Sequence, residues 1–200
     1  MLGLDQHRHG RAFDDACAAV RVARDAGSRA TQARALAVLA RVLAQRGDIA
    51  ACRRSLDDAH DVLSAIGQDA ELEWVAFFTL DQWAAESVYA LASSAHPSEI
   101  EELARAALTS TSRMRRRQLL LTATLASSYC RPVPGGSHVK AGRELEHATD
   151  LVIDAVRAPG TIGSARVLAL IDDVRSVVRS AGPPALGKSL DDAVRLTLRA

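Results

Sequence analysis

The amino-acid sequence predicts an all-α protein. Alanine occurs 38 times among 200 residues, and alanine, leucine and arginine are all strong helix formers. Aromatic residues make up only 4% of the chain, fewer than a typical β-sheet core requires. Glycine and proline divide the rest into blocks of helical length, in which apolar residues recur every three or four positions.

Four helices are predicted in the first half of the chain, over residues 11–26, 29–45, 49–66 and 70–94. The first carries alanines at helical spacing, at positions 12, 16, 19 and 23. The second carries alanines at 33, 37, 40 and 44, beside a leucine stripe, and the third has an apolar stripe that includes Leu56 and Leu63. The fourth is the longest and holds most of the aromatic residues.

Five helices are predicted in the second half, over residues 97–110, 111–130, 139–158, 164–181 and 189–199. Pro97 suits the first position of the fifth helix, where its missing N–H is not needed. The seventh helix has an apolar stripe that begins at Leu145. Ser189, with Asp192 three residues later, resembles a capping box at the start of the ninth helix.

Two glycines indicate a repeat. Gly10 and Gly47 are each expected to open a helix after the end of another, and 37 residues separate them. Helix pairs of this length are typical of tetratricopeptide-like (TPR-like) α-solenoids. We therefore predict one domain over residues 1–200, a right-handed superhelix of about four antiparallel pairs, with clearer repeats over 1–67 and diverged repeats over 70–200. A non-repeating helical bundle is the alternative.

Four segments carry a family resemblance: WVAFF (74–78), LARAAL (103–108), RMRRR (113–117) leading into LLLTATLA (119–126), and GSARV (163–167). Together they resemble the C-terminal TPR region of actinobacterial helix-turn-helix transcriptional regulators. The resemblance implies stacked helix pairs that bind a peptide, a small effector or another subunit. In full-length regulators that binding is coupled to an N-terminal DNA-binding domain.

The sequence departs from this family at its start. It begins in what looks like the tail of a first repeat helix, with no helix-turn-helix before it, so we do not expect direct nucleic-acid binding. A solenoid needs capping at its ends. The missing half-repeat therefore predicts an uncapped apolar end near residues 1–26, and with it a homodimer or an unusual N-terminal cap.

An acidic and aromatic segment is the first candidate binding site. Residues 55–104 contain eleven Asp and Glu, no Lys or Arg, and five of the seven aromatic residues. On one continuous helix Glu73, Phe77 and Asp81 would share a face, with Trp74 beside them. This acidic–aromatic strip, from Glu73 to Asp81, could hold a basic peptide or a cationic ligand by charge and cation–π contact. The alternative is that the aromatics are core and the acids are a solvated face.

An arginine cluster is the second candidate. Arg113, Arg115, Arg116 and Arg117 lie on one and a half helical turns. We expect Arg113 and Arg117 to face the acidic–aromatic strip across the concave surface, which the first helices of the pairs (29–45, 70–94, 111–130 and 163–181) would line. A phosphate site and an ordinary solvated face are the alternatives.

A third pattern points to a different class of protein. Asp57, Asp58 and Asp61 match the D-D-x-x-D motif of terpenoid synthases, which bind magnesium and a diphosphate. Residues 172–176 resemble the start of the second metal motif of those enzymes, but Ser180 stands where that motif needs a Glu. The spacing also suits an ordinary surface helix, and we expect no metal or other cofactor.

Global properties favour an ordinary globular protein. The net charge is +1, which gives no global indication of a nucleic-acid or membrane partner. The N-terminus has no apolar signal-peptide region, and Cys17, Cys52 and Cys130 are too far apart to suggest disulfides or a zinc site. We therefore expect a cytoplasmic, non-catalytic, regulatory interaction module for a protein, peptide or small effector. The alternative is the effector-sensing half of a split transcriptional regulator.

Overall fold

A computed structural model of the chain describes residues 2–66, 78–94, 96–110, 115–131, 138–158 and 164–198. All regular elements in these ranges are α-helices, which confirms the predicted all-α class. They are α1 (Leu2–Asp25), α2 (Arg29–Gln45), α3 (Ile49–Ser64), α4 (Leu80–Leu91), α5 (Pro97–Ser110), α6 (Arg115–Tyr129), α7 (His138–Arg157), α8 (Ala165–Ala181) and α9 (Pro184–Leu198).

The chain divides into two compact units, Met1–Ala95 and His96–Ala200. Unit 1 holds α1 to α4, and unit 2 holds α5 to α9. That residues 1–200 act as a single domain stays a prediction. Among the described residues, no helix is both long enough and apolar enough to cross a membrane.

Helix α2 is the centre of unit 1, because it packs against α1, α3 and α4. Its alanines Ala33, Ala37 and Ala40 are fully buried. The distance between packed helices depends on the side chains at the contact, so alanine lets three helices approach α2 closely. Larger apolar side chains, including Leu36 and Leu63, fill the remaining space.

Short glycine turns join the first three helices. Gly27 (φ +70°) and Gly47 (φ +80°) adopt the left-handed conformation that ends a helix and that favours glycine. Each turn then supplies an N-cap: Ser28 Oγ accepts from the Thr31 N–H at 3.4 Å, and Asp48 Oδ1 accepts from the Ala51 N–H at 3.0 Å.

The expected helix start at Gly10 is wrong. α1 runs without a break from Leu2 to Asp25, so Gly10 lies in its interior. One glycine in a helix interior costs only about 1 kcal/mol relative to alanine, which a helix of 24 residues tolerates. The glycines that lie in turns are Gly27 and Gly47, one before and one after α2.

Unit 2 has a larger aliphatic core. α6 packs against α5, α7 and α8, and α9 packs against α7 and α8. Fully buried branched side chains from α7, α8 and α9 meet in this core, among them Val152, Ile171, Val174 and Leu190. Burial of these apolar side chains away from water is the main contribution to the stability of the described part of unit 2.

The predicted start of the last helix is also wrong. α9 begins at Pro184, so Ser189 lies inside the helix and does not cap it. The Pro183 carbonyl accepts from the Leu186 N–H at 3.0 Å and opens the first turn. Proline at the first helical position has a suitable φ and lacks only an N–H that would be unpaired there. Pro184 therefore marks the start of α9 in the same way that Pro97 marks the start of α5.

Candidate functional site

Most of the acidic–aromatic strip lies outside the described residues. Glu73, Trp74 and Phe77 fall there, whereas Asp81 lies exposed in the first turn of α4. The prediction of one continuous helix over 70–94 is wrong, because Thr79 is extended (φ −109°, ψ 174°) and α4 begins at Leu80. Asp81 therefore does not continue a helical face from residue 73 or 77.

A capping signal accounts for this break. Thr79 Oγ1 accepts from the Gln82 N–H at 3.4 Å, and Thr followed three residues later by Gln is a capping-box pattern. Phe78, immediately before the cap, is buried in the core of unit 1. The pattern was readable in the sequence, but the apolar and aromatic residues around it favoured one long helix.

The arginine cluster separates into residues with different surroundings. Arg113 lies outside the described residues, Arg116 is exposed, and Arg117 is half-buried on α6. The Arg115 guanidinium donates to the carbonyl of Ala155 and, at 2.8 Å, to that of Ala158. These carbonyls belong to the end of α7, where a cation is favourable.

Arg115 is therefore a helix-capping residue. Burial lowers the pKa of its guanidinium, yet an arginine remains charged at any physiological pH. Its five donors suit two carbonyl acceptors at once. That Arg113 and Arg117 face the acidic–aromatic strip across the concave surface stays a prediction.

Unit 1 presents a surface that sequence reasoning missed. Because α2 is packed on three sides, its solvent-facing residues form a narrow stripe that includes Arg34, Val38 and Arg41, spaced by four and three residues. Val38 is 43% exposed. Arg41 Nη1 donates to Glu86 Oε2 of α4 at 3.2 Å. We call these four residues the α2–α4 face.

The helical spacing of the α2–α4 face was visible in the sequence. Arg34 and Arg41 interrupt the buried alanine and leucine stripes of α2 at i and i+7. A valine between them is ordinarily assigned to the core, so the sequence alone did not mark it as exposed. The α2–α4 face thus combines both signs of charge with one exposed apolar side chain.

The D-D-x-x-D pattern lies on α3. Asp57, Asp58 and Asp61 are exposed, and His60 Nδ1 lies 3.7 Å from Asp61 Oδ1. Among the residues that the structure describes, no group of three or more His, Cys, Asp or Glu is arranged to hold a metal ion.

An aromatic contact anchors the same region to α4. The His60 and Trp83 rings are 4.8 Å apart, and the Trp83 indole N–H donates to the Leu56 carbonyl at 2.8 Å. A partly buried indole N–H generally needs such an acceptor. The indole N–H of Trp83 thus joins α4 to α3.

Unit 2 contains a polar cluster that joins α5, α6 and α7. Tyr129 Oη donates to Glu101 Oε2 at 2.5 Å, Arg105 Nη2 donates to Glu101 Oε1 at 3.1 Å, and the His147 ring meets the Tyr129 ring edge-on at 4.8 Å. The hydrogen bond from Tyr129 lowers the pKa of Glu101. Burial, together with that hydrogen bond, raises the pKa of Tyr129 well above its ordinary value.

A second polar group joins α8 to α9. Asp191 accepts from Arg175 Nε at 2.9 Å and from Arg179 Nη2 at 2.6 Å, and Arg175 also donates to Asp172 at 2.7 Å. Burial alone would raise the pKa of Asp191, but the two arginines lower it overall. A shallow hollow of about 380 Å³ on α8 is lined by Asp172, Arg175, Ser176, Arg179 and Ser180.

The segment that resembles the start of the second metal motif has an arginine beside its first carboxylate. Asp172 binds a guanidinium of its own helix, and Asp191 binds two. An arginine beside a carboxylate competes with a cation for that carboxylate. Asp173 is exposed.

Comparison of the chain with protein-family models, with curated proteins and with solved structures finds no match.

Proposed function

We propose that the chain is a non-catalytic, regulatory module that binds a protein or peptide, and that its helix pairs stack in the TPR-like manner. The observation that carries this proposal is packing between alternate helices: α2 contacts α4 within unit 1, and α6 contacts α8 within unit 2. In solenoids each helix pair contacts only its neighbours, and the stacked first helices form an extended binding surface.

The same pattern supports α2 and α4 as stacked first helices within unit 1, and α6 and α8 as stacked first helices within unit 2. Each of α2, α6 and α8 also packs against the helix that follows it. These four correspond to the helices predicted from the sequence to line the concave surface, with the boundaries of α4 corrected.

Within unit 1 the α2–α4 face is the surface best suited to a peptide. Val38 offers apolar contact, and Arg34 and Arg41 favour acidic side chains of a partner, while Glu86 holds the Arg41 guanidinium in place. Asp81, exposed at the start of α4, lies five residues before Glu86 and therefore on another side of the helix, outside the α2–α4 face.

A capture experiment with matched variants tests the proposal. The tagged chain is incubated with lysate of its source cells, and retained proteins are identified by mass spectrometry. The first variant combines Val38→Asp with Arg41→Glu, and the second combines Glu73→Lys with Asp81→Lys. Arg54→Glu, an exposed change on α3, serves as the control, and circular dichroism checks that each variant keeps its helix content.

We expect a protein that the wild type and Arg54→Glu retain and that the Val38/Arg41 variant loses, with affinity then measured on the purified pair. Loss only in the Glu73/Asp81 variant would move the site to the acidic–aromatic strip. If the wild type captures no protein specifically, the protein-interaction proposal fails, and a small effector becomes the candidate for native mass spectrometry.

A further inference from the structure

The outward side of α1 carries an ordered row of exposed side chains. Within the described residues, α1 packs against α2 alone and buries Ala16, Val20 and Ala23 there. The opposite side presents residues at i, i+4, i+7, i+11 and i+14, a spacing that keeps them on one helical face. This outer stripe consists of Arg11, Asp15, Ala18, Val22 and Asp25.

Val22 is the most unusual member of the outer stripe. It is 67% exposed, more than any other large apolar residue of unit 1 within the described part of the chain. Ala18, beside it, is half-buried and small. No ion pair of Arg11, Asp15 or Asp25 occurs among the described residues. The stripe therefore combines an exposed apolar centre with charges at both ends.

The order of the charges identifies the kind of partner. Arg11 lies seven residues before Ala18, and Asp25 lies seven residues after it. If a second copy of α1 crosses antiparallel with Ala18 opposite Ala18, each Arg11 faces an Asp25 and each Asp15 faces an exposed Arg21. A parallel crossing would instead bring like charges together.

Arg11 cannot pair with Asp25 of its own chain. Arg11 and Asp25 are fourteen residues apart on one helix, which at about 1.5 Å per residue separates them by roughly 21 Å. Opposite charges placed symmetrically about a small central residue form a self-complementary surface, as a two-fold dimer requires.

We propose that the outer stripe of α1 pairs antiparallel with the outer stripe of a second copy, with the two-fold axis at Ala18. Alanine at the crossing allows the two helices to approach closely. In this register Val22 lies between Ala18 and Asp14 of the second copy and loses part of its exposure. The inference is independent of the proposed partner-binding function. A contact of this length is smaller than a standard interface, so dimerisation depends on protein concentration.

Sedimentation velocity of the full chain over a wide concentration range tests the pairing. We expect the wild type to pass from the mass of one 21.3 kDa chain towards twice that mass. Arg11→Asp and Asp25→Arg each place like charges opposite each other at two symmetric positions, so each weakens the dimer roughly tenfold.

The double variant is the decisive measurement. Combining Arg11→Asp with Asp25→Arg exchanges the two charges, so opposite charges face each other again and dimerisation returns towards the wild-type level. Arg24 is exposed on α1 but lies away from the outer stripe, so Arg24→Asp should leave dimerisation unchanged. Circular dichroism confirms that every variant remains helical.

Three results would overturn the proposal. The wild type could remain a single chain at every concentration. The single variants could dimerise as well as the wild type, which would place any dimer contact elsewhere. The double variant could stay as weak as the single variants, which would show that Arg11 and Asp25 do not face each other.

Discussion

Alanine substitutions at two glycines of unit 1 give a direct test of its helix boundaries. Gly47 has φ +80°, and an added Cβ meets no heavy atom within 4 Å. The cost of Gly47→Ala is therefore conformational, about 1–2 kcal/mol for a side chain in the left-handed region. Gly10 lies inside α1, and its added Cβ also meets nothing within 4 Å. Gly10→Ala should thus stabilise by about 0.5–1 kcal/mol.

The pair of variants is internally controlled, because both substitutions add one methyl group in the same unit. Urea unfolding followed by circular dichroism gives the free energy of unfolding for each. We expect a difference of about 1.5–3 kcal/mol between them. Gly47→Asn should recover part of the loss, since asparagine tolerates the left-handed conformation better.

Equal destabilisation by the two alanine variants would refute this reasoning. It would mean that Gly10 occupies a turn, as the 37-residue spacing first suggested, and that α1 is broken there. If Gly47→Ala left the free energy of unfolding unchanged, Gly47 would not hold the left-handed conformation in the turn between α2 and α3.

Three further predictions concern unit 2, each measured by urea unfolding. Arg115→Gln should cost about 1–2 kcal/mol because the α7 carbonyls lose their donor, whereas the exposed Arg116→Gln should change stability by less than about 0.5 kcal/mol. Tyr129→Phe should cost about 1 kcal/mol near neutral pH. The hydrogen bond from Tyr129 lowers the pKa of Glu101 below its ordinary value of 4.5, so its contribution is complete above that value and is lost as pH falls through the lower pKa of the folded state. The stabilities of the wild type and the variant should therefore converge in acid. Asp191→Asn should cost about 1 kcal/mol at neutral pH by releasing two α8 arginines, and added salt should reduce the difference.

The helices themselves were predictable, because alanine-rich apolar stripes and glycine or proline breaks are local signals. The second, fifth and eighth helices match the predicted ranges closely. The errors fell where one local signal competed with another. Thr79 caps a helix inside an aromatic segment, and Pro184 opens a helix before Ser189 could.

The candidate site was harder to predict, because exposure depends on which helices pack together. Val38 reads as a core residue until three neighbours are seen to occupy the other sides of α2. Arg115 reads as a surface charge until the end of α7 is placed against it. These neighbours all lie on other helices, so periodicity within one helix carries no information about them.

The alanine interior of α2 has a consequence for motion. An alanine side chain has no rotamers to exchange and loses no rotamer entropy when it is buried, so the contacts around Ala33, Ala37 and Ala40 have no alternative side-chain packing. Motion at these three contacts should therefore occur as whole helices sliding past one another, the shear type of rearrangement. At these points a force on α2 would displace the backbone of the neighbouring helix, because no side-chain rotamer can change in between.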